Sequence, residues 1–253
     1  MPELTYPGLV EIHRAPPSLD ECRFYHTVDL PDGERRGQWD LRPGVQAYLG
    51  GVSFKGKAVL EIGPASGFLS FHMERAGAAV TAVEPPMERL WDFVPMPDFD
   101  AAAHRRARHP DIDGVRNSFW YLHHLYGSRV RLLETVPEAI PAEAGEFDVG
   151  LIAAVLLHCR APFDIIEGCA RRVRGTMIVT ELYDATLGER PLCHLLARPH
   201  VKEVDTWWAL TPAFIVNALG LLGFGRATVG THHQKRELDG QGIPMFTVVA
   251  HRT

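Results

Sequence analysis

An α/β fold is predicted, organised as a Rossmann-like sheet of seven mostly parallel strands whose last strand runs antiparallel. Three observations predict it. Val59-Leu60-Glu61-Ile62 is a short, mostly apolar run of the kind that forms a buried parallel strand. It leads directly into Gly63-Pro64-Ala65-Ser66-Gly67, whose glycines permit a sharp turn and close approach of backbone to a ligand, and then into a helical run and a second apolar strand ending on Glu84. Near its end the chain carries two further strand-like runs, 226–230 and 245–250, joined by a polar glycine-containing loop. That pattern reads as an antiparallel hairpin rather than another parallel crossover.

Taken in order, residues 1–50 are rich in proline, glycine and charge, with aromatic groups at Phe24-Tyr25-His26 and Gln38-Trp39-Asp40. Their apolar content is too low for a separate core, so they are expected to cap a domain spanning 51–253. A short helix over 45–49 leads to the first strand. Phe68, Leu69, Phe71, His72 and Arg75 carry the next helix, which Gly77 can terminate. The second strand covers 80–83. Residues 85–128 form an insertion that is long for such a connection. It opens as irregular chain at Pro85, Pro86, Pro95 and Pro97 and then carries two helices, 101–108 and 117–126. Long insertions beside the carboxyl ends of strands often act as lids. Strands follow at 130–133 and 147–153. Pro162 can begin a helix at its first position, with Phe163, Ile166, Cys169, Ala170 and Val173 in helical spacing and Gly175 as its stop. A fifth strand spans 176–181. Thr211-Pro212 is an N-cap and first-turn pair for a helix carrying Phe214, Ile215, Ala218 and Leu222.

Composition narrows the function. The chain has 253 residues, 46% of them hydrophobic, and a formal net charge of −5. Its densest basic stretch, His104-Arg105-Arg106-Ala107-Arg108-His109, is short and reads as a solvated helix face. A nucleic-acid partner is therefore not expected. The four cysteines show no C-x-x-C spacing, and none of the 13 histidines falls in an H-E-x-x-H pattern. The adjacent pairs His123-His124 and His232-His233 diverge in any regular element. No metal is expected. Without a signal-type apolar segment or a membrane-length span, the chain reads as soluble and cytoplasmic, with no membrane partner. The sequence does not specify an oligomeric state.

The loop chemistry is more specific. The glycines are spaced G-x-x-x-G, not the G-x-G-x-x-G that cradles a dinucleotide pyrophosphate. Glu61 sits just before the turn, where a carboxylate would repel a pyrophosphate but suits a ligand with a sulfonium and an ammonium group. Glu84 stands where a carboxylate can accept hydrogen bonds from both ribose hydroxyls.

In Glu61, Gly63, Ala65, Gly67 and Glu84 the chain resembles the class I S-adenosylmethionine (SAM)-dependent methyltransferases. Their E/D-x-G-x-G-x-G loop is matched with alanine in place of the middle glycine, and the resemblance covers most of 55–253. It implies SAM as cofactor, held by Glu61, Gly63, Pro64, Ala65, Gly67, Glu84 and Pro85. It places 134–136 beside the adenine, where either Glu134 accepts the adenine amine or Thr135 and Val136 contribute backbone groups. Ala153 and Ala154 then face the methionine half. Methyl transfer is an in-line displacement governed by positioning and solvent exclusion, and needs a base only when the nucleophile must lose a proton early.

The catalytic candidate is His158, in Val155-Leu156-Leu157-His158-Cys159-Arg160, after the fourth strand where open α/β sheets bind ligands. It is either a base near neutral pH or a structural histidine tying down its loop. Arg160 either anchors a substrate carboxylate or pairs with an acid. Candidate acceptor-binding groups are Tyr25, His26 and Trp39 from the cap, Trp120 and His123 from the insertion, and Tyr183 and Trp207, with Trp208, after the fifth strand.

A narrower resemblance runs through 25–33, Gln38-Trp39-Asp40 and Val155-Leu156-Leu157-His158, to the group around the tRNA wobble-uridine carboxymethyltransferases, which use carboxylated SAM. Gln38 stands where that group tends to place a lysine, and Leu157 where it has a tyrosine. Both departures remove partners for the added carboxylate, so ordinary SAM is expected. The expected activity is methyl transfer to a small-molecule acceptor. The alternatives are tRNA modification and a non-catalytic SAM-binding protein.

Overall fold

A computed structural model describes residues 8–89, 92–199 and 203–253. The N-terminal segment supplies strands β1 (Val10–Ile12), β2 (Val28–Leu30), β3 (Gly33–Arg35) and β4 (Trp39–Asp40) and the one-turn helix α1 (Val45–Tyr48). The first βαβ unit is β5 (Ala58–Ile62), α2 (Phe68–Arg75) and β6 (Ala79–Glu84). After the insertion helix α3 (Ala101–Leu125) come β7 (Arg131–Glu134), β8 (Phe147–Ala153), α4 (Pro162–Ala170) and β9 (Val173–Leu182). The chain continues through β10 (Cys193–Leu195), β11 (Trp208–Leu210), α5 (Pro212–Leu221), β12 (Arg226–Arg236) and β13 (Gly242–His251).

One sheet of nine strands organises these elements, in the order β1-β7-β6-β5-β8-β9-β13-β12-β4. The five strands β7 to β9 are parallel, and β13 inserts antiparallel between β9 and β12. The sheet thus exceeds the expected seven strands by two. Both additions, β1 beside β7 and β4 beside β12, come from the N-terminal segment, which lays a short strand along part of each edge of the sheet. An open edge presents unpaired N–H and C=O groups, and covering it satisfies them. Strands of three and two residues carry no readable alternation, which is why the sequence shows neither.

Alternation along the parallel strands builds a core on each face. Leu60, Ile62, Val83, Ile152 and Val179 face one side with Ile166 of α4 and Ile215 of α5. Val59, Val80, Ala82, Leu151 and Ile178 face the other with Leu69 and Met73 of α2 and Phe119 and Leu122 of α3.

Two local expectations change. The insertion holds one helix of 25 residues, not two. Asp100 caps it by accepting the Ala103 N–H at 2.8 Å. Pro110 lies inside it and removes one backbone donor. The helix nevertheless continues, because Gly114, Ser118, Phe119, Trp120 and Leu122 on its second half are buried. Second, α4 ends at Ala170, and Gly175 belongs to β9. A side chain at Gly175 would run into the Asp148 carbonyl oxygen, so this glycine permits close strand approach rather than stopping a helix. No helix among the described residues is long and apolar enough to cross a membrane.

Candidate active site

The strand order reverses between β5 and β8, and a ligand cleft is expected beyond the carboxyl ends of strands at such a point. A cleft of about 810 Å³ lies there, floored by Glu61, Gly63, Ala65, Glu84, Ala153 and Ala154. Tyr25, His26 and Trp39 of the N-terminal segment and Ile112, Val115 and Arg116 of α3 also line it.

The loop between β5 and α2 turns on left-handed residues, with φ of +72° at Gly63, +49° at Ala65 and +84° at Gly67. Ala65 keeps this conformation despite its Cβ, at a cost on the order of 1 kcal/mol. Ser66 accepts the His26 backbone N–H at 3.2 Å and so ties the cap to the loop. Gly67 does not line the cleft; it faces the core, where a Cβ would run into Phe71 and lie 2.7 Å from Phe119. Gly67→Ala is therefore expected to cost about 2–4 kcal/mol of stability, by adding left-handed strain to overpacking. Denaturant unfolding checks this, and an unchanged midpoint would contradict the packing described.

Two buried carboxylates, Glu61 and Glu181, and the half-buried Glu84 stand at the strand ends. Glu61 is 2% exposed and accepts a hydrogen bond from the Ser70 hydroxyl. Burial pushes its carboxyl up to about 7. Glu84 ends β6; burial raises it, while the Arg116 guanidinium and the Ala65 N–H pull it back down. Glu181, 1% exposed near the end of β9, accepts the N–H groups of Val155 at 3.1 Å and Leu156 at 2.8 Å. Burial pushes it up to about 8. Its task is to hold the turn that carries His158.

These raised values have a consequence for stability. The ordinary value of a glutamate is 4.5, so between 4.5 and about 7 to 8 the folded protein retains protons that the unfolded chain has released. The contribution of Glu61 and Glu181 is therefore fully present below 4.5 and is lost as pH rises through about 7 and 8. The melting temperature of the ligand-free protein should fall from pH ~5.5 to ~8.5, with a shallower slope in Glu61→Gln. An unchanged slope in that variant would show that Glu61 does not titrate in this range.

His158 lies on the turn after β8 and lines the cleft. Its Nδ1 is 2.5 Å from the Asp205 carbonyl oxygen. A carbonyl only accepts, so Nδ1 carries a proton, and in the neutral ring Nε2 keeps its lone pair. The loop-tying bond and an available basic nitrogen therefore coexist in one ring. In the cap, burial drives His26 down to about 3, which keeps it neutral, and its Nδ1 has no partner among the described residues. Burial raises the Tyr25 phenol, with a hydrogen bond from Trp39 acting against it.

No protein-family model and no curated sequence matches the chain. Among solved structures it is similar to the N-terminal domain of EvdMO1 with SAH bound, with a TM-score of 0.57 at 19% identity over 92% of this chain and 93% of that one. It is also similar to the 1,6-didemethyltoxoflavin-N1-methyltransferase of Burkholderia thailandensis with bound 1,6-didemethyltoxoflavin and S-adenosylhomocysteine (SAH). There the TM-score is 0.52 at 19% identity, over 84% of this chain and 78% of that one. The chain has the class I SAM-dependent methyltransferase fold.

Within this methyltransferase fold, Glu61, Gly63, Pro64, Ala65, Glu84, Pro85, Ala153, Ala154, His158, Tyr25, His26 and Trp39 all border the one cleft. Other expected site residues lie outside its lining. Thr135 and Val136 do not reach it: the Thr135 N–H donates to the Glu84 carbonyl at 3.1 Å, extending the β6–β7 pairing, and Pro137 and Glu138 line the cleft instead. Trp120 packs in the core beneath α3, and His123 is half-buried beside it. Trp120 lies against Phe119, and the His123 Nε2 is 3.0 Å from the Val130 carbonyl. Because α3 is one continuous helix, its phase directs Ile112, Val115 and Arg116 to the cleft and carries Phe119 onto Phe71. Tyr183 packs edge-on against Phe246. The Trp207 indole N–H donates to the Asp92 carbonyl, and the Arg160 guanidinium lies over the Trp207 ring. Arg116, Tyr48, Glu138, Asp205 and Met245 line the cleft without having been expected there. None of these carried a local sequence signal: Arg116 falls between the two helices read from the sequence, 101–108 and 117–126.

Proposed function

We propose that this protein is a SAM-dependent methyltransferase that transfers a methyl group to a small-molecule acceptor held under the N-terminal cap. The observation that carries this reading is the continuity of the cleft. One space of about 810 Å³ joins the carboxylates and left-handed loop to a wall made by Tyr25, His26, Trp39 and His158. That volume is in the upper part of the range for sites that enclose a small ligand, roughly 300–1,000 Å³.

The residues present fit the cofactor. Glu84 suits the ribose diol, Glu61 suits cationic groups, and the small Ala153 and Ala154 leave room for the methionine half. SAM supplies a methyl group activated on a sulfonium. The protein orients that methyl toward the acceptor and excludes water with the cap and α3. The neutral His26 offers the acceptor a hydrogen-bonding group. His158 takes the acceptor proton at Nε2, and its Nδ1–H, fixed on the Asp205 carbonyl, sets the ring orientation. We take ordinary SAM as the cofactor: Gln38 borders the cleft but carries no charge, and Leu157 is buried outside its lining, so neither supplies the lysine or tyrosine partner of an added carboxylate. The comparisons give no support to the narrower likeness to the wobble-uridine group.

Cofactor binding should release protons. At neutral pH Glu61, raised to about 7, is partly protonated, and a cation placed beside it favours the ionised form. Calorimetric SAM titration near pH 7 in buffers of differing ionisation enthalpy should show release of about half a proton, lost in Glu61→Gln. Buffer-independent heats would place the cationic groups elsewhere.

Incubation with methyl-labelled SAM tests the activity, using pools of small alcohols and phenols, amines, thiols and carboxylic acids, with bulk tRNA as a separate arm. Label in a small-molecule pool is the expected result. Label in tRNA alone would assign the protein to nucleic-acid modification. SAM binding without transfer in any arm would favour a non-catalytic binding protein.

A further inference from the structure

Arg116 is 7% exposed, borders the cleft and lies between two carboxylates. Its Nη2 is 3.9 Å from Glu84 Oε2, and its Nη1 is 3.7 Å from Glu134 Oε2. Its short hydrogen bond goes elsewhere, from Nη2 to the Pro85 carbonyl at 2.6 Å. Its Nε is buried without a partner among the described residues, so the structural bonds seen there do not use all of its donors. A guanidinium is costly to bury unless opposite charge compensates it. Here the charged groups facing Glu84 are Glu61 from β5, Glu134 from β7 and Arg116 from α3. Arg116 is the one cation among them.

Resting on the methyltransferase reading, we infer that Arg116 is a positioning residue that keeps the Glu84 carboxylate anionic for the ribose hydroxyls, so that the insertion helix sets cofactor affinity through charge. The geometry suits this task. At 3.9 Å the guanidinium acts on Glu84 by charge rather than by a hydrogen bond, so it takes none of the carboxylate lone pairs that the Ala65 N–H leaves for the ribose. Binding the Pro85 carbonyl fixes the guanidinium to the chain just beyond Glu84. Without the cation, the Glu134 charge acts on Glu84 unopposed, and Glu84 takes up a proton more readily. A protonated Glu84 loses the charge-assisted hydrogen bonds to the ribose.

The test is SAH affinity by calorimetry across pH 5 to 9, in wild type, Arg116→Gln, Arg116→Lys and Glu134→Gln. The quantity read is the pH at which affinity falls to half its plateau. Titration of SAH itself and of Glu61 is common to all four proteins and cancels in the comparison. Arg116→Gln should raise this midpoint by about one pH unit or more, weakening binding roughly tenfold on the acid side while leaving the alkaline plateau within about threefold. Arg116→Lys, which keeps the charge, should stay near wild type. Glu134→Gln removes a like charge and should lower the midpoint, an outcome that does not depend on the glutamine variant at 116 folding. A uniform loss at every pH in Arg116→Gln, or equal midpoints in wild type and Glu134→Gln, would overturn the inference and leave the methyltransferase reading intact. A folded wild type that binds no SAH at any pH would overturn both.

Discussion

Glu84→Ala should weaken binding of both SAM and SAH by roughly 1.5–3 kcal/mol, about 10- to 150-fold, with little loss of fold stability. The expectation follows from where β6 ends. Register with β5 and β7 places the carboxylate at the carboxyl edge of the sheet, on the floor of the cleft, beside the left-handed loop. A carboxylate accepting both ribose hydroxyls makes two charge-assisted hydrogen bonds, and alanine makes none. Stability should change little because Glu84 is held by no hydrogen bond from another side chain among the described residues, and its burial already disfavours the charge. Calorimetry on the folded variant gives the number. Affinity equal to wild type would mean that the nucleoside does not lie over β6.

His158→Ala should lower turnover by about 10²- to 10⁴-fold while leaving SAH affinity within about threefold, provided the acceptor must lose a proton during transfer. Its Nδ1–H is bound to Asp205 and Nε2 is left as an acceptor, so the ring is oriented for proton uptake rather than for cofactor binding. Steady-state SAH formation with an acceptor found in the labelling experiment measures the effect. Undiminished turnover in a folded variant would reduce His158 to a tie between its turn and the segment carrying Asp205. A companion variant, Glu181→Gln, separates the two roles. It exchanges the carboxyl oxygen that accepts the Val155 and Leu156 N–H groups for an amide oxygen, and at pH above about 8, where Glu181 is ionised, should lower stability before it alters the chemistry.

What could be read from the chain divides by the range of the interactions involved. The βαβ unit was legible because its information is local: apolar strand, left-handed loop, helix and terminal acid follow one another within 59–84. Ala65 at φ +49° shows why the related loop has glycine at that place, and why alanine is tolerated with modest strain. The closing hairpin was legible for the same reason, although β12 and β13 run longer than their apolar stretches because pairing continues through polar residues at the β12 end. Long-range partners were not legible. The edge strands β1 and β4 exist through pairing with β7 and β12, more than 100 residues away. The insertion read as two helices, 101–108 and 117–126, but burial of the second half of α3 carries one helix through Pro110 despite the lost hydrogen bond. That one helix phase then decided which residues reach the cleft, bringing Arg116 to it, turning Trp120 into the core and His123 onto the Val130 carbonyl. The carboxylate of Glu181 and the carbonyl of Asp205, which together orient the His158 turn, come from segments distant in sequence and leave no local pattern.

The most direct test of the central claim is calorimetric titration of the folded protein with SAH and SAM, with a nicotinamide dinucleotide as control. Saturable binding of both sulfur ligands and none of the dinucleotide is the predicted result. It would follow from Glu61 and the G-x-x-x-G loop standing where a pyrophosphate site would need a different spacing and no carboxylate. Failure of a folded sample to bind either sulfur ligand, or preference for the dinucleotide, would contradict the assignment of this cleft to SAM.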